Sequence, residues 1–412
     1  MNSQAPGRIV VVGGSMAGLF CGILLRRLGY EVEVYERAGE ALASRGAGIA
    51  THRELYAAFK QAGVRIDRAM GVETAGRIAI APDGTVLGTH PMPQIMTSWG
   101  LLYRFLRREY PDAHYHAGAV FADFSEDADG VTVRFEDGRE TRADWLVAAD
   151  GLHSSIRAKV LPAAVPEYAG YAAWRGLVDE AALPASFLEQ LSGQFAFCLP
   201  EGEHMLGYLV AGPNDDLTPG RRWYNWVWYR PAVGAAALAD LLTDECGRHH
   251  PLGIPHHLIR AEHIAKMRAD AEIRVAPLFR EAVRRTERPF LQPIYDFVSP
   301  RLVCGRVLLV GDAACTARPH IGLGVSKAAD DAAKLAHAFY RTDVDRRSAL
   351  ADWEADRLRF ARAAVKHSRS LGAYLGPAQT TPEGRALAEF NRRPETVMAR
   401  AAATDPERYL EY

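Results

Sequence analysis

Arg8-Ile9-Val10-Val11-Val12-Gly13-Gly14-Ser15-Met16-Ala17-Gly18 decides how the rest of this chain is read. Residues 8–12 are β-branched and apolar after the first, the pattern of a parallel strand buried on both faces, and two glycines break the run at once. Residues 15–28 then repeat apolar positions at helical spacing and stop at Gly29. Glu31-Val32-Glu33-Val34-Tyr35 alternates as a strand does and ends on Glu36. Strand, glycine turn, helix and second strand make a βαβ unit.

Such a unit brings a pyrophosphate against the positive end of a helix, and its glycines let backbone N–H groups approach the phosphate oxygens. Glu36 follows Gly18 by 18 residues, where a carboxylate accepts hydrogen bonds from a ribose diol. The glycines are Gly13, Gly14 and Gly18; Ser15 stands where the usual pattern has its second motif glycine, and a side chain that small still permits close approach. The stretch therefore reads as a variant dinucleotide site.

At 412 residues the chain is long for a single core, so two domains are expected. A formal net charge of -1 gives no electrostatic argument for nucleic acid or an anionic membrane. No apolar run is long enough to span a bilayer, and the N-terminal apolar segment lacks a basic leader. Five scattered cysteines without a CxxC pair point to reduced thiols, and the reading is cytoplasmic. The adjacent pairs His249-His250 and His256-His257 do not make a metal set, because neighbouring side chains diverge and no carboxylate or thiolate completes one.

Outward from the first unit, the glycine-rich turn at 44–49 either connects or lets backbone, at Gly48, pass beside a flat cofactor ring. Helices are expected over 53–62 and 101–108, strands on either side of Pro82-Asp83-Gly84, and a meander over 120–135. Trp145-Leu146-Val147-Ala148-Ala149 is a second buried strand that runs into Asp150-Gly151 and a short helix at 154–160. Residues 168–297 are rich in Trp and Tyr and read as a separate sheet domain, its strand patterns running to 230 and helices then over 235–244, 256–266 and 273–285. In Tyr224-Asn225-Trp226-Val227-Trp228-Tyr229 alternation puts Tyr224, Trp226 and Trp228 on one face and Asn225, Val227 and Tyr229 on the other. Arg306-Val307-Leu308-Leu309-Val310 restores the buried-strand pattern and ends at Gly311-Asp312; a Pro-containing loop and Gly322-Leu323-Gly324-Val325 then open a long helix at 325–340, with another at 347–371 and a Pro- and Gly-punctuated tail.

The segments 11–18, 149–157 and 311–324 resemble the three FAD signatures of the single-component (class A) flavoprotein aromatic hydroxylases, in the same order along nearly the whole chain except the tail. Residues 168–176, 305–314 and Arg318-Pro319-His320 are most similar to the 2,6-dihydroxypyridine 3-hydroxylase-like branch. The resemblance implies an α/β fold: a Rossmann-like FAD-binding domain from residues 1–70, 97–165 and 299–345, an inserted mixed-sheet substrate domain from 71–96 and 166–298, and C-terminal helices and tail at 346–412. FAD would lie on Gly13, Gly14, Ser15, Met16, Ala17 and Gly18, with the ribose at Glu36 beside Arg37. Asp312 would serve the ribityl or pyrophosphate region, Gly322, Leu323, Gly324 and Val325 the pyrimidine edge, and Asp150 and Gly151 both FAD and the nicotinamide cofactor. Two positions depart from the family: Trp99 stands where many relatives carry an FAD-contacting arginine, and Cys315 stands where they often carry histidine, with no covalent flavin attachment inferred.

The activity implied is an NAD(P)H-consuming monooxygenase that hydroxylates a small hydroxylated aromatic or N-heteroaromatic ring with O2 through a C4a-hydroperoxyflavin. A homodimer is implied by the family alone. The group that activates the substrate hydroxyl is sought among His52, Arg53, His204, Tyr208 and His320, with Tyr208 and Trp226 as wall residues and Pro319 and His320 on a loop against the flavin. Alternatives remain: an FAD dehydrogenase or oxidase without oxygen insertion, or a redox-silent nucleotide-binding protein.

Overall fold

In a computed structural model of the chain, residues 7–39, 48–66 and 69–403 are described. The fold-deciding strand, Arg8–Val12, lies inside a six-stranded sheet whose order is Val303–Cys304, Val307–Leu309, Trp145–Ala148, Arg8–Val12, Glu31–Glu36, Tyr115–Ala117. All neighbours are parallel except the Val303–Cys304 edge. Register places Val12 beside Tyr35 and Ala148, and Ala148 beside Leu309. The three buried strands therefore end level with one another. Their continuations are Gly13, Ala149 with Asp150, and Val310 with Gly311, so motifs some 130 to 300 residues apart in sequence meet at one carboxyl edge of the sheet, the usual place for a ligand in open α/β sheets.

The glycine turn needs its glycines. Gly13 has φ 107°, and a Cβ on Gly18 would lie 1.8 Å from the Gly13 carbonyl oxygen. Helix Met16–Arg27 can thus start directly against the strand end, with its first N–H groups free of intrahelical partners.

The second sheet has nine strands, in order Cys315–Thr316, Phe290–Val298, Glu167–Asp179, Trp223–Pro231, His204–Val210, Gln194–Cys198, Val72–Ile80, Val86–Ser98, Gly48–Ala50. Tyr224, Trp226 and Trp228 join one buried core with Phe187, Met267 and Phe279 from covering helices; Val227 and Tyr229 join another with Tyr208, Phe195 and the tail residues Val397, Met398 and Ala402. A three-stranded meander, Phe121–Glu126, Val131–Phe135, Glu140–Ala143, completes the strands described. No helix among the described residues is long and apolar enough to cross a membrane.

Several elements differ from expectation. The two helices expected at 256–266 and 273–285 are present with shifted bounds: residues His256–Leu258 form a 3-10 turn before helix Ala261–Arg274, and the second helix, Pro277–Arg285, starts on a proline, whose missing N–H costs nothing at that position. The tail holds two helices, Pro382–Asn391 and Pro394–Arg400, again opening on prolines, and Thr381 caps the first through its hydroxyl, which accepts from the Gly384 N–H at 3.0 Å. Residues 48–50 and helix Pro394–Arg400 pack with the nine-stranded sheet, outside the boundaries expected for the inserted domain. Residues 44–47 of the glycine-rich turn lie outside the described residues.

Candidate active site

The level strand ends open onto a cavity of about 490 Å³ between the two sheets, within the roughly 300–1,000 Å³ of small-molecule sites. The parallel sheet contributes Ser15, Met16, Ala17, Gly151 and Asp312; the second sheet contributes Gly48, Phe195, His204, Leu206, Tyr208, Val227 and Tyr229. The segment Thr316–Val325 connects them, and it includes Pro319, His320, Gly322, Leu323 and Gly324. Most expected site residues are therefore brought together.

Others are not on the lining. Gly13, Gly14 and Gly18 act from behind it by allowing close packing; a Cβ on Gly14 would meet the Tyr115 hydroxyl at 2.4 Å. Glu36 is buried, and its carboxylate accepts from the Gly14 N–H at 2.8 Å and the Ala38 N–H at 2.9 Å, tying the second strand to the glycine turn. Arg37 is exposed. Asp150 accepts from the Ile156 N–H at 3.3 Å through one oxygen, while its Oδ1 is buried without a hydrogen-bond partner among the described residues. Burial pushes its carboxyl upward, against opposing hydrogen bonds from residues 154–156.

Two assignments to the substrate wall need correction. Trp226 is fully buried on the helix-covered face and donates its indole N–H to the Thr286 hydroxyl at 2.8 Å. Arg53 is exposed at the start of helix Arg53–Gln61. His52 is also off the lining: its Nε2 lies 3.2 Å from the Gly322 carbonyl, which makes the ring a donor that fixes the Gly322 turn. Burial holds His52 down to about 4, with Arg77 adding to the effect and the Gly322 bond opposing it. Trp99 does line the cavity, stacked on Tyr103 at 5.1 Å. Cys315 faces away from it, buried against Ala361 and Val365, and its thiol is pushed up to about 12 chiefly by burial.

The turn at Gly311-Asp312 is pinned from beneath. The Gly311 N–H donates to Asp331 at 3.1 Å, the buried Lys327 ammonium donates to the Gly311 carbonyl at 2.8 Å, and Arg357 Nε lies 3.0 Å from Asp331. Burial works against the Lys327 charge, but Asp331, Cys315 and Asp312 together more than offset it, so its ammonium is held above the usual range. Asp312 sits deep in the molecule but is open to the cavity; burial raises its carboxyl and Lys327 pulls it down. Arg157 joins the second and third strand ends by donating to Leu152 O at 2.6 Å and Ala313 O at 3.1 Å.

On the substrate side, His320 Nε2 and the Tyr171 hydroxyl are 2.7 Å apart, and the His320 ring packs edge-on to Tyr229 at 4.6 Å. His204 Nδ1 and the Tyr374 hydroxyl are 2.6 Å apart, and His204 Nε2 is buried without a hydrogen-bond partner among the described residues. Burial keeps both histidines neutral, His204 at about 3 and His320 well below the usual range, the latter with help from His204 and Arg318. Sequence reading missed Arg175, which lines the cavity and donates to Gln292 at 2.8 Å. Its positive field lowers Tyr208 and Tyr229 even though burial raises both phenols overall. Tyr229 sat on the correctly separated face of its strand; Tyr171 and Tyr374 carried no local signal.

The family described as FAD binding domain-like matches residues 168–296, and the one described as FAD binding domain matches residues 291–368. The chain is 31% identical over 373 residues to a 2,6-dihydroxypyridine 3-monooxygenase of Paenarthrobacter nicotinovorans, covering 90% of this chain and 92% of that protein. It is 30% identical to an aurachin C monooxygenase/isomerase of Stigmatella aurantiaca, with 88% of each covered. Among solved structures, 2,6-dihydroxypyridine-3-hydroxylase from Arthrobacter nicotinovorans superposes with a TM-score of 0.85 at 30% identity, over 94% of this chain and 97% of that one. Klebsiella pneumoniae HpxO, complexed with FAD and uric acid, gives 0.69 at 25% identity, over 95% and 97%. With three motifs meeting at one cavity and a relative 31% identical over 90% of this chain, the chain belongs to the class A FAD-dependent aromatic hydroxylases, flavoprotein monooxygenases that use NAD(P)H and O2.

Proposed function

We propose that the chain hydroxylates a hydroxylated N-heteroaromatic ring of the dihydroxypyridine class. The observation that carries this reading is the polar set on an otherwise apolar wall: Tyr208, Tyr229, Arg175 and the unpartnered His204 Nε2 stand among Phe195, Leu206, Val227 and Ile294. A flat ring with hydroxyl or ring-nitrogen groups satisfies that wall, whereas a plain hydrocarbon leaves a buried imidazole nitrogen unpaired.

The residues present fit FAD. Gly324 and Gly151 have nothing within 4 Å of a hypothetical Cβ although both line the cavity, and the buried Asp150 Oδ1 calls for a hydroxyl donor. Met16, Ala17 and the helix they open would hold the pyrophosphate, Asp312 and Asp150 the polyol, and Gly322 to Val325 the ring edge. Bound there, FAD supplies electron transfer from NAD(P)H and activation of O2. We read Glu36 as the ribose partner through lone pairs that its backbone bonds leave open.

The chain's own residues do the rest. His204, held neutral, takes one hydrogen bond from or to a ring substituent without adding charge. Arg175 favours the ionised form of a substrate hydroxyl by the same field that it exerts on Tyr208 and Tyr229, and ionisation enriches the ring for attack. The apolar wall excludes water that would divert oxidising equivalents to peroxide. The division into a discontinuous FAD domain and an inserted sheet domain belongs to this reading, as does a cytoplasmic setting, supported by five free cysteines.

The deciding experiment is NAD(P)H oxidation in air by the flavin-loaded protein against hydroxypyridines, hydroxynicotinates and hydroxybenzoates, with peroxide and product mass recorded. A dihydroxypyridine that stimulates oxidation and returns one oxygen heavier supports the proposal. Hydroxylation confined to benzoates, or stimulation with peroxide alone across all pyridines, overturns it.

A further inference from the structure

The last described turn of the chain is held by a buried arginine far from it in sequence. Arg77, in strand Val72–Ile80, is 1% exposed and has no carboxylate partner among the described residues. Its guanidinium donates to the carbonyls of Met398 at 2.8 Å, of Ala401, and of Ala402 at 3.3 Å, and to Gln94 Oε1 at 2.9 Å. Gln94 in turn donates to Ala402 O and Thr51 O, each at 3.0 Å. The carbonyls concerned close helix Pro394–Arg400, where main-chain acceptors lack intrahelical donors and carry the negative end of the helix dipole. A buried cation there satisfies both.

The clamped residues form part of the reaction cavity. Ala401 and Ala402 line it, and the Ala402 N–H donates to the His320 carbonyl at 2.7 Å. A Cβ on Gly322 would lie 2.9 Å from Ala402 Cβ, so the loop at the proposed flavin edge and the tail are in close contact. Ala402 adopts φ 47°, a left-handed conformation that an alanine keeps only where its surroundings impose it. The Arg77 guanidinium also lies over the Phe195 ring, another cavity residue, at 5.1 Å.

We propose that Arg77 is a positioning residue that latches helix Pro394–Arg400, holding Ala401 and Ala402 as the water-excluding wall of the cavity so that NAD(P)H oxidation stays coupled to hydroxylation. The proposal rests on the monooxygenase reading. Coupled turnover converts ring–H, O2, NAD(P)H and a proton into ring–OH, NAD(P)+ and water. With the wall displaced, water enters and the same two electrons and O2 leave as H2O2, with NAD(P)+ formed and the ring unchanged.

Two readouts on the FAD-loaded enzyme test it: amide hydrogen exchange over residues 394–402, and the ratio of hydroxylated product to NAD(P)H consumed. In Arg77→Met, exchange over 394–402 rises about tenfold or more, as local opening becomes easier, peroxide rises at the expense of product, and the rate of flavin reduction is unchanged. Arg77→Lys, which restores a charge but fewer donors, recovers part of both. A chain ending at Arg393 uncouples similarly, and Arg77→Met adds nothing in that shortened background. Unchanged exchange and coupling in Arg77→Met, or full coupling in the shortened chain, overturns the latch. Should Arg77→Met fail to fold, Gln94→Leu decides: it removes the second clamp on Ala402, and wild-type exchange with wild-type coupling there overturns the proposal equally. Faster exchange in the variants combined with no hydroxylation by any form, wild type included, would support the latch and overturn the monooxygenase reading instead.

Discussion

His204 Nδ1 and the Tyr374 hydroxyl are 2.6 Å apart, a hydrogen bond that joins the substrate wall to the segment after the long C-terminal helix. It fixes the imidazole, and whichever partner donates decides whether His204 Nε2 presents a proton or a lone pair to the cavity. Tyr374→Phe removes this control while keeping the ring, which stacks beside His204. We expect kcat/KM for the hydroxylated ring to fall by about tenfold, the scale of one buried hydrogen bond, with an altered pH profile and unchanged FAD retention. Wild-type kcat/KM and pH profile in the variant would show that the bond only fills space.

Two glycines separate folding from cofactor binding. In Gly18→Ala the new methyl would sit 1.8 Å from the Gly13 carbonyl oxygen, a backbone atom that cannot swing away. The flavin-free protein should lose on the order of 2–4 kcal/mol by denaturant unfolding. Gly324→Ala meets no protein atom within 4 Å and stands at the first position of helix Gly324–Tyr340. Its stability should match or exceed wild type, while FAD retention drops about tenfold, because the space belongs to the flavin edge. Tight flavin binding by Gly324→Ala, measured by fluorescence titration, would move the ring edge away from this turn.

The two faces of strand Trp223–Pro231 carry different duties. Trp226→Phe loses the bond to Thr286 and part of a fully buried ring, so unfolding free energy should fall by about 1–3 kcal/mol with kcat and KM held. Tyr229→Phe keeps the ring against His320 and Tyr171, so stability should change by less than about 0.5 kcal/mol while KM or kcat for the ring substrate shifts. The reverse outcome would exchange the roles assigned to the faces.

Why Trp226 was placed on the substrate wall from sequence is a matter of physics. Alternation in Tyr224-Asn225-Trp226-Val227-Trp228-Tyr229 separates two sets of side chains, but both faces are buried, and nothing local says which meets helices and which meets the cavity. The three motif ends were readable because each combines a short apolar run with an abrupt glycine, a purely local signal; their level register then follows from the parallel sheet. The tail was misread because Pro382 and Pro394 look like breakers when isolated, whereas each is the first residue of a helix. Arg77 had no legible role at all, since its partners at 398–402 lie more than three hundred residues away.

Three buried histidines, His52, His204 and His320, predict how stability responds to acid. Burial lowers each below its usual value, His52 to about 4 and His204 to about 3. The unfolded chain takes up protons at these positions from about pH 6.5 downward, while the folded protein does not, so unfolding is favoured as pH falls through that window. Each contributes a slope approaching about 1.4 kcal/mol per pH unit below 6.5. Asp150 and Asp312 act in the opposite sense, since burial raises their carboxyls and lets the folded state hold protons longer. Carboxylates lowered by partners, such as Glu33 beside His114 and His116, lose their contribution only below the ordinary glutamate range. Between pH 7 and 5 the histidines should therefore dominate. The Tm is expected to fall steadily over that range, and His204→Gln, which cannot titrate, should flatten the slope whatever it does to the absolute Tm. A wild-type Tm that stays level from pH 7 to 5, or a slope untouched in His204→Gln, would mean that these imidazoles are protonated in the folded protein, and the neutral hydrogen-bonding role given to His204 would go with them.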